Sequence, residues 1–158
     1  MSHLQAGDPA PDFELLDDSG TPHRLSDRRG HWTVVYFYPK DLTPGCTTEA
    51  CGFRDGTAEL AALDAVVWGI SPQDAQMHAR FRVRHGLEFP LLVDAGHAVA
   101  DLYGVWVEKS LYGRRYFATA RATFLVGPDG RIARVWQKVK PQGHAAEVAA
   151  ELRARSAA

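Results

Sequence analysis

Residues 33–38, TVVYFY, closed by Pro39, constrain the fold more than any other stretch of the chain. The run is continuously apolar and β-prone, so neither face of such a strand can meet water and both must be covered. Residues 66–70, closed by Ser-Pro, and residues 91–93 read the same way. Spacing and turn residues predict helices over 44–63, 73–85, 96–102 and 142–155, with Met77, Phe81 and Val83 or Arg84 near one face of the second. Residues 122–126, the turn GPDG and residues 132–136 predict a closing hairpin. FELLD and TPHRL, separated by Asp-Ser-Gly, predict a short N-terminal hairpin after an irregular leader at 7–12. Strands alternating with helices, then a hairpin and a helix, give an α/β chain with a central mixed sheet flanked by helices.

The order of these elements is compatible with a thioredoxin-like core. At 158 residues the expectation is one domain over 1–158. A chain of this length buries about 70% of its unfolded surface and needs neither disulfides nor a metal to fold. Its net charge of −1 offers no electrostatic case for nucleic acid or an anionic membrane. The pairs Arg28-Arg29 and Arg114-Arg115 read as solvated loops. The opening MSHLQAGDPAPDF lacks the basic and apolar regions of a secretory signal. No apolar run approaches the roughly 18 residues that a membrane span requires. The expected compartment is the cytoplasm, where thiols are kept reduced and lasting disulfides are rare.

That expectation bears on PKDLTPGCTTEAC, residues 39–51, which holds Cys46 and Cys51, the only cysteines of the chain. Thr43 is a good N-cap and Pro44 suits the first helical position, which makes Cys46 the third helical residue. A capping box would place Glu or Gln there. A thiolate at that point lies among unpaired backbone N–H groups at the positive end of the helix dipole. The helix end is worth roughly 0.3–2 kcal/mol to a negative charge. A free thiol is only a few per cent ionised at neutral pH, so a cation from elsewhere in the fold is implied. The bland alternative is a small buried hydrophobe at a helix start. The Thr-Pro-Gly approach, the preceding strand and the second cysteine weigh against it.

The gap of five excludes the Cys-x-x-Cys dithiol pattern, and the seven histidines show no zinc-ligand spacing, so no metal is expected. In an intact helix, Cα atoms five residues apart are about 8.5–9 Å apart. A disulfide tolerates about 7 Å. Either the bond never forms, or it forms by unwinding the helix start, where Gly52 weakens the helix by about 1 kcal/mol. Elsewhere, Tyr103 and Trp106 read as core, and His78 and His85 as residues of a helix surface.

PKDLTPGC fits the Pro-x-x-x-Thr-x-x-Cys signature of the peroxiredoxins, and CTTEAC resembles their bacterioferritin comigratory protein (peroxiredoxin Q) subgroup. GDPAPDFELLDDSG, CGFRD, KSLYGRRY and RATFLVGPDGRI resemble further segments of that family. The resemblance implies the peroxiredoxin elaboration of the thioredoxin-like fold. It makes Cys46 the peroxidatic nucleophile and Cys51 the residue that resolves its sulfenic acid. It assigns Thr43 to hydrogen bonds with the peroxide and Pro39 to shielding the site from water. Arg121 becomes the missing cation, and Glu49 the residue that orients it. It further implies a peroxide substrate, no cofactor, a thioredoxin-type dithiol as reductant and a monomer. The RARSAA end, without a Tyr-Phe tail, implies resistance to overoxidation. A general thiol–disulfide reductase, a non-catalytic redox sensor and a metal chaperone are the competing functions.

Overall fold

Residues 2–156 are described in the computed structural model of the protein; Met1 and residues 157–158, the last two of RARSAA, lie outside them. The strand that opened the sequence analysis is β3, Trp32–Phe37, and it occupies the middle of a five-stranded sheet. β4 (Ala65–Ser71) lies parallel on one side of it, with β5 (Leu91–Val93) parallel beyond. β8 (Ala122–Val126) lies antiparallel on the other side, followed by β9 (Ile132–Trp136). The sheet is therefore mixed, as expected.

Alternation along β3 divides the interior in two, because successive side chains point to opposite faces. Val34, Tyr36 and Tyr38 enter one core with residues of α1 (Pro44–Ala62), α2 (Ala75–His85) and α4 (His144–Ser156). Val35 and Phe37 enter the other, with Phe13, Leu25, and Val99 and Ala100 of the short helix α3 (Ala98–Leu102). A fully buried Phe in such a core, such as Phe53 or Phe124, costs about 3–5 kcal/mol when cut to Ala. The N-terminal hairpin pairs β1 (Glu14–Leu16) with β2 (Pro22–Arg24). Asp17 organises its turn by accepting from the backbone N–H groups of Ser19 and Thr21.

Local chemistry corrects several boundaries. α2 starts at residue 75, not 73, because the Asp74 side chain caps it by accepting from Met77 N. It ends at Gly86, which is left-handed at φ 62°. The helix expected over 96–102 is split into a 3₁₀ turn, Ala95–His97, and α3, because Gly96 is kinked at φ 72°. Val83, expected near the core face of α2, is 73% exposed, and Phe81 alone of that set is fully buried. Trp106 is half-buried against the second core, and Tyr103 is within it.

One hairpin was not expected. β6 (Trp106–Leu111) pairs antiparallel with β7 (Arg114–Thr119) as a separate two-stranded ribbon. Arg114 and Arg115, read as loop residues, are exposed on β7. The ribbon leads directly into Arg121 and β8. No helix among the described residues is long and apolar enough to cross a membrane.

Candidate active site

The site forms where β3 ends and α1 begins. Residues 39–43 make the turn between them, and the turn is strained: Leu42 has φ 63°. A leucine in the left-handed region costs about 1–2 kcal/mol, so surrounding contacts must hold it there. Leu42 packs partly buried against the first core. Thr43 Oγ1 donates to Lys40 O at 2.9 Å, and Ser71 Oγ donates to Pro39 O at 3.3 Å. Asp41 is buried, accepting from Tyr38 OH at 2.6 Å and lying 2.5 Å from His78 Nδ1.

Thr43 occupies the N-cap position with extended backbone (φ −87°, ψ 153°), but its side chain caps nothing. This departs from expectation. The reversal at Leu42 brings Lys40 O within reach, and the hydroxyl proton goes there instead. The lone pairs of Thr43 Oγ1 remain free to accept from another group. Thr43 O accepts from Thr47 N at 2.8 Å, the first bond of the helix. Pro44 is at the first helical position, so Cys46 is third, as the spacing predicts. Its side chain is 1% exposed, while Cys51 is half-buried, and both are free thiols. α1 runs unbroken through both, so the helix separation of about 8.5–9 Å holds and no disulfide can span it as it stands.

Arg121 reaches this point through strand register. Phe37 pairs with Ala122, which sets Arg121 beside the end of β3 and the start of α1. Its Nη1 donates to Glu49 Oε1 at 2.9 Å. Its Nη2 lies 3.0 Å from where a Cβ on Gly45 would sit, and Pro141 Cγ lies 3.6 Å from that point. Gly45 thus leaves room for the guanidinium beside the first turn. Burial disfavours the charged form of Arg121, but the adjacent Cys46 and Glu49, through charge and hydrogen bonds, hold it above its ordinary range. Glu49 itself is pushed up to about 7 by burial, with Arg121 opposing. Its Oε2 is buried with no hydrogen-bond partner among the described residues.

The structure brings together Cys46, Glu49 and Arg121, with Thr43 at the N-cap of the same helix and half-buried Pro39 on the turn before it. Cys51 lies farther along α1. Tyr38, Asp41, His78, Gly45 and Pro141 also build the site and were not anticipated. His78, expected on a helix surface, is 0% exposed. Its three-residue spacing from Phe81 on one helix face was the available signal. Behind the site, buried His144 meets Thr123 Oγ1 through Nε2 at 2.8 Å, and burial holds its pKa below the usual range. Among the described residues no three His, Cys, Asp or Glu side chains converge as metal ligands would.

The AhpC/TSA family profile matches residues 6–135. Peroxiredoxin Bcp of Bacillus subtilis is 47% identical over 144 residues, covering 91% of this chain and 92% of that one. Peroxiredoxin Bcp of Escherichia coli K12 is 43% identical over 144 residues, with 91% and 92% covered. Among solved structures, a cysteine-to-serine mutant of Xylella fastidiosa PrxQ superposes with a TM-score of 0.93 at 35% identity, covering 99% of both chains. The bacterioferritin comigratory protein of Xanthomonas campestris, studied as trapped intermediate and ligand complexes for its alkyl peroxide reduction, superposes with a TM-score of 0.88 at 36% identity and 99% coverage of both.

Proposed function

The chain belongs to the peroxiredoxins of the AhpC/TSA family, and from that premise we propose that it is a thiol peroxidase in which Cys46 attacks the peroxide and Cys51 resolves the product. The observation that carries this reading is the meeting of Cys46, third in α1, with an arginine fixed by a buried glutamate.

The Cys46 thiolate attacks one peroxide oxygen. A sulfur–oxygen bond forms, the O–O bond breaks, and the leaving oxygen takes a proton from water to become an alcohol or water. Cys46 is left as a sulfenic acid, the first rung of cysteine oxidation. Ionising the thiol fully gains only about 30-fold over a free thiol at neutral pH, so the larger gain lies in stabilising charge on the departing oxygen. Arg121 supplies that charge, oriented by Glu49. Thr43 Oγ1, its proton held by Lys40 O, accepts from the bound hydroperoxide. Pro39 screens the sulfur from water. Cys51 then attacks the sulfenic sulfur after the start of α1 unwinds, forming the 46–51 disulfide and releasing hydroxide as water.

A thioredoxin-type dithiol reduces that disulfide by exchange, which requires a reducing compartment, the cytoplasm. The test is peroxide consumption followed with thioredoxin, thioredoxin reductase and NADPH. No NADPH oxidation on adding hydrogen peroxide or an alkyl hydroperoxide sinks the reading.

A further inference from the structure

His78 is fully buried, far from any surface role, and the peroxide chemistry above does not use it. Its Nε2 lies 2.8 Å from Leu92 O on β5. A carbonyl can only accept, so Nε2 carries a hydrogen and donates. Its Nδ1 lies 2.5 Å from Asp41 Oδ2, with one proton between the two groups. The other Asp41 oxygen accepts from Tyr38 OH at 2.6 Å. Both side chains of the His78–Asp41 pair are 0% exposed. Every polar atom of the ring and the carboxylate has a partner, which is the condition under which a buried polar network is tolerated.

The position of this network gives it a consequence for the site. Asp41 immediately precedes the strained Leu42, and Leu42 precedes Thr43. The ties at Lys40 and Pro39 come from Thr43 itself and from β4. Among the described residues, the hydrogen-bond tie from α2 to this turn comes through His78 alone. Tension in the left-handed Leu42 can relax by moving Asp41 unless its carboxylate is held, and such a movement would displace Thr43 Oγ1 relative to Cys46. We propose that His78 is a positioning residue for peroxide reduction: by holding Asp41 it fixes the 41–43 turn so that Thr43 and Cys46 keep their reactive geometry. The proposal rests on the peroxidase reading of Cys46.

Two substitutions separate positioning from mere packing. The amide nitrogen of Asn falls near that of Nδ1, so His78→Asn keeps a donor to Asp41 and gives up Leu92 O. The amide nitrogen of Gln falls near Nε2, so His78→Gln keeps the donor to Leu92 O and gives up Asp41. Each loses one hydrogen bond of the same kind, and thermal melting records the stability cost of each. The second-order rate of the first peroxide equivalent with Cys46 and the thiolate fraction of Cys46 are measured on both, below their melting temperatures. His78→Gln should lose about tenfold or more in rate at an unchanged thiolate fraction, since misplacing a reacting group by around an ångström has effects of that size. His78→Asn, which keeps the donor to Asp41, should react several times faster than His78→Gln. Equal rates in the two variants, or losses that follow melting temperature and not the Asp41 contact, overturn the proposal. Should His78→Gln fail to fold, Asp41→Ala removes the His78 tie together with the Tyr38 bond, and Tyr38→Phe removes the Tyr38 bond alone; Asp41→Ala must then react more slowly than Tyr38→Phe, and equal rates in those two variants overturn the proposal. A parent protein that leaves peroxide unconsumed at Cys46 defeats the peroxidase reading itself, a result read before any variant is compared.

Discussion

Arg121 and Glu49 form an ion pair, Nη1 to Oε1 at 2.9 Å, in which the carboxylate side chain is fully buried and the guanidinium one-fifth exposed. The pair joins the residue before β8 to the second turn of α1, and it aims a fixed positive charge at the region of Cys46. Breaking either half leaves the other charge buried without its partner, which is far costlier than losing a surface pair.

Arg121→Met should therefore lower the rate with peroxide by about 10²–10³, the usual loss for one donor to a developing oxyanion. The thiolate fraction of Cys46, measured on the same variant, should account for only a small part of that. A rate that falls no further than the ionised fraction leaves Arg121 without its role in the transition state.

Glu49 makes stability depend on pH with a definite sign. Burial raises it from 4.5 to about 7 in the folded chain. Between those values the native state holds the proton that the unfolded chain releases, so stability falls as pH rises through that window. The penalty is on the order of 3 kcal/mol once ionisation is complete. Denaturant unfolding of the parent and of Glu49→Gln should diverge in favour of the variant from pH 4.5 to pH 7, then run parallel. A constant difference across that range would falsify the assignment.

Gly45→Ala separates stability from activity. Alanine in the first turn of α1 gains up to about 1 kcal/mol of helix propensity. Its Cβ would sit 3.0 Å from Arg121 Nη2, a nitrogen that Glu49 prevents from retreating freely. The expected variant melts no lower than the parent and reacts more slowly with peroxide. A slower variant that also melts lower points to general disruption instead.

Oxidation should loosen residues 44–54 and spare the sheet, because the 46–51 disulfide is incompatible with the intact helix. The far side of the opening is set by Arg54, whose Nη1 donates to the last carbonyl of α2, His85 O, at 2.6 Å. Amide exchange of the reduced and disulfide forms reads this directly. Equal protection of 44–54 in both states removes the unwinding step.

The two cysteines should fail differently. Cys46→Ser consumes no peroxide, since a serine hydroxyl is not ionised at neutral pH. Cys51→Ser leaves Cys46 and Arg121 in place, so it should react once and stop at a sulfenic acid that dimedone traps. Excess peroxide should then drive it to sulfinic acid. Mass spectrometry after one equivalent, with steady-state assays beside it, reads both outcomes. Full thioredoxin-dependent turnover by Cys51→Ser would remove Cys51 from the resolving role.

The central strand, the long helix after Pro44 and the closing hairpin were legible because each writes its burial into a local pattern. The β6–β7 ribbon was not, because Leu111, Tyr112 and Phe117 face solvent there and the apolar alternation that marks a half-buried strand is missing. α2 misled for the opposite reason. Arg80, Arg82, Arg84 and His85 make it read as a solvated helix, and the burial of His78 depends on Asp41, which no spacing rule connects to it across 37 residues. At the site, the position of Cys46 followed from Thr-Pro-Gly alone. The meeting of Arg121 with Glu49 and Cys46 entered through family resemblance, because it depends on how β3 and β8 align. Thr43 was placed correctly as the N-cap, but the direction of its hydroxyl follows from the conformation of Leu42, which a leucine does not advertise.

The pairing of Phe37 with Ala122 also sets a timetable. Synthesis runs from the N-terminus, and Glu49 precedes Arg121 by 72 residues. A growing chain therefore exposes Cys46 while the strand that delivers the guanidinium has yet to be made. On the proposed chemistry, that cysteine is without its arginine until Arg121 has been made. The charge that Arg121 brings to Cys46 is in place only once β8 settles against β3, so the proposed activity belongs to the completed sheet and not to the half-made chain.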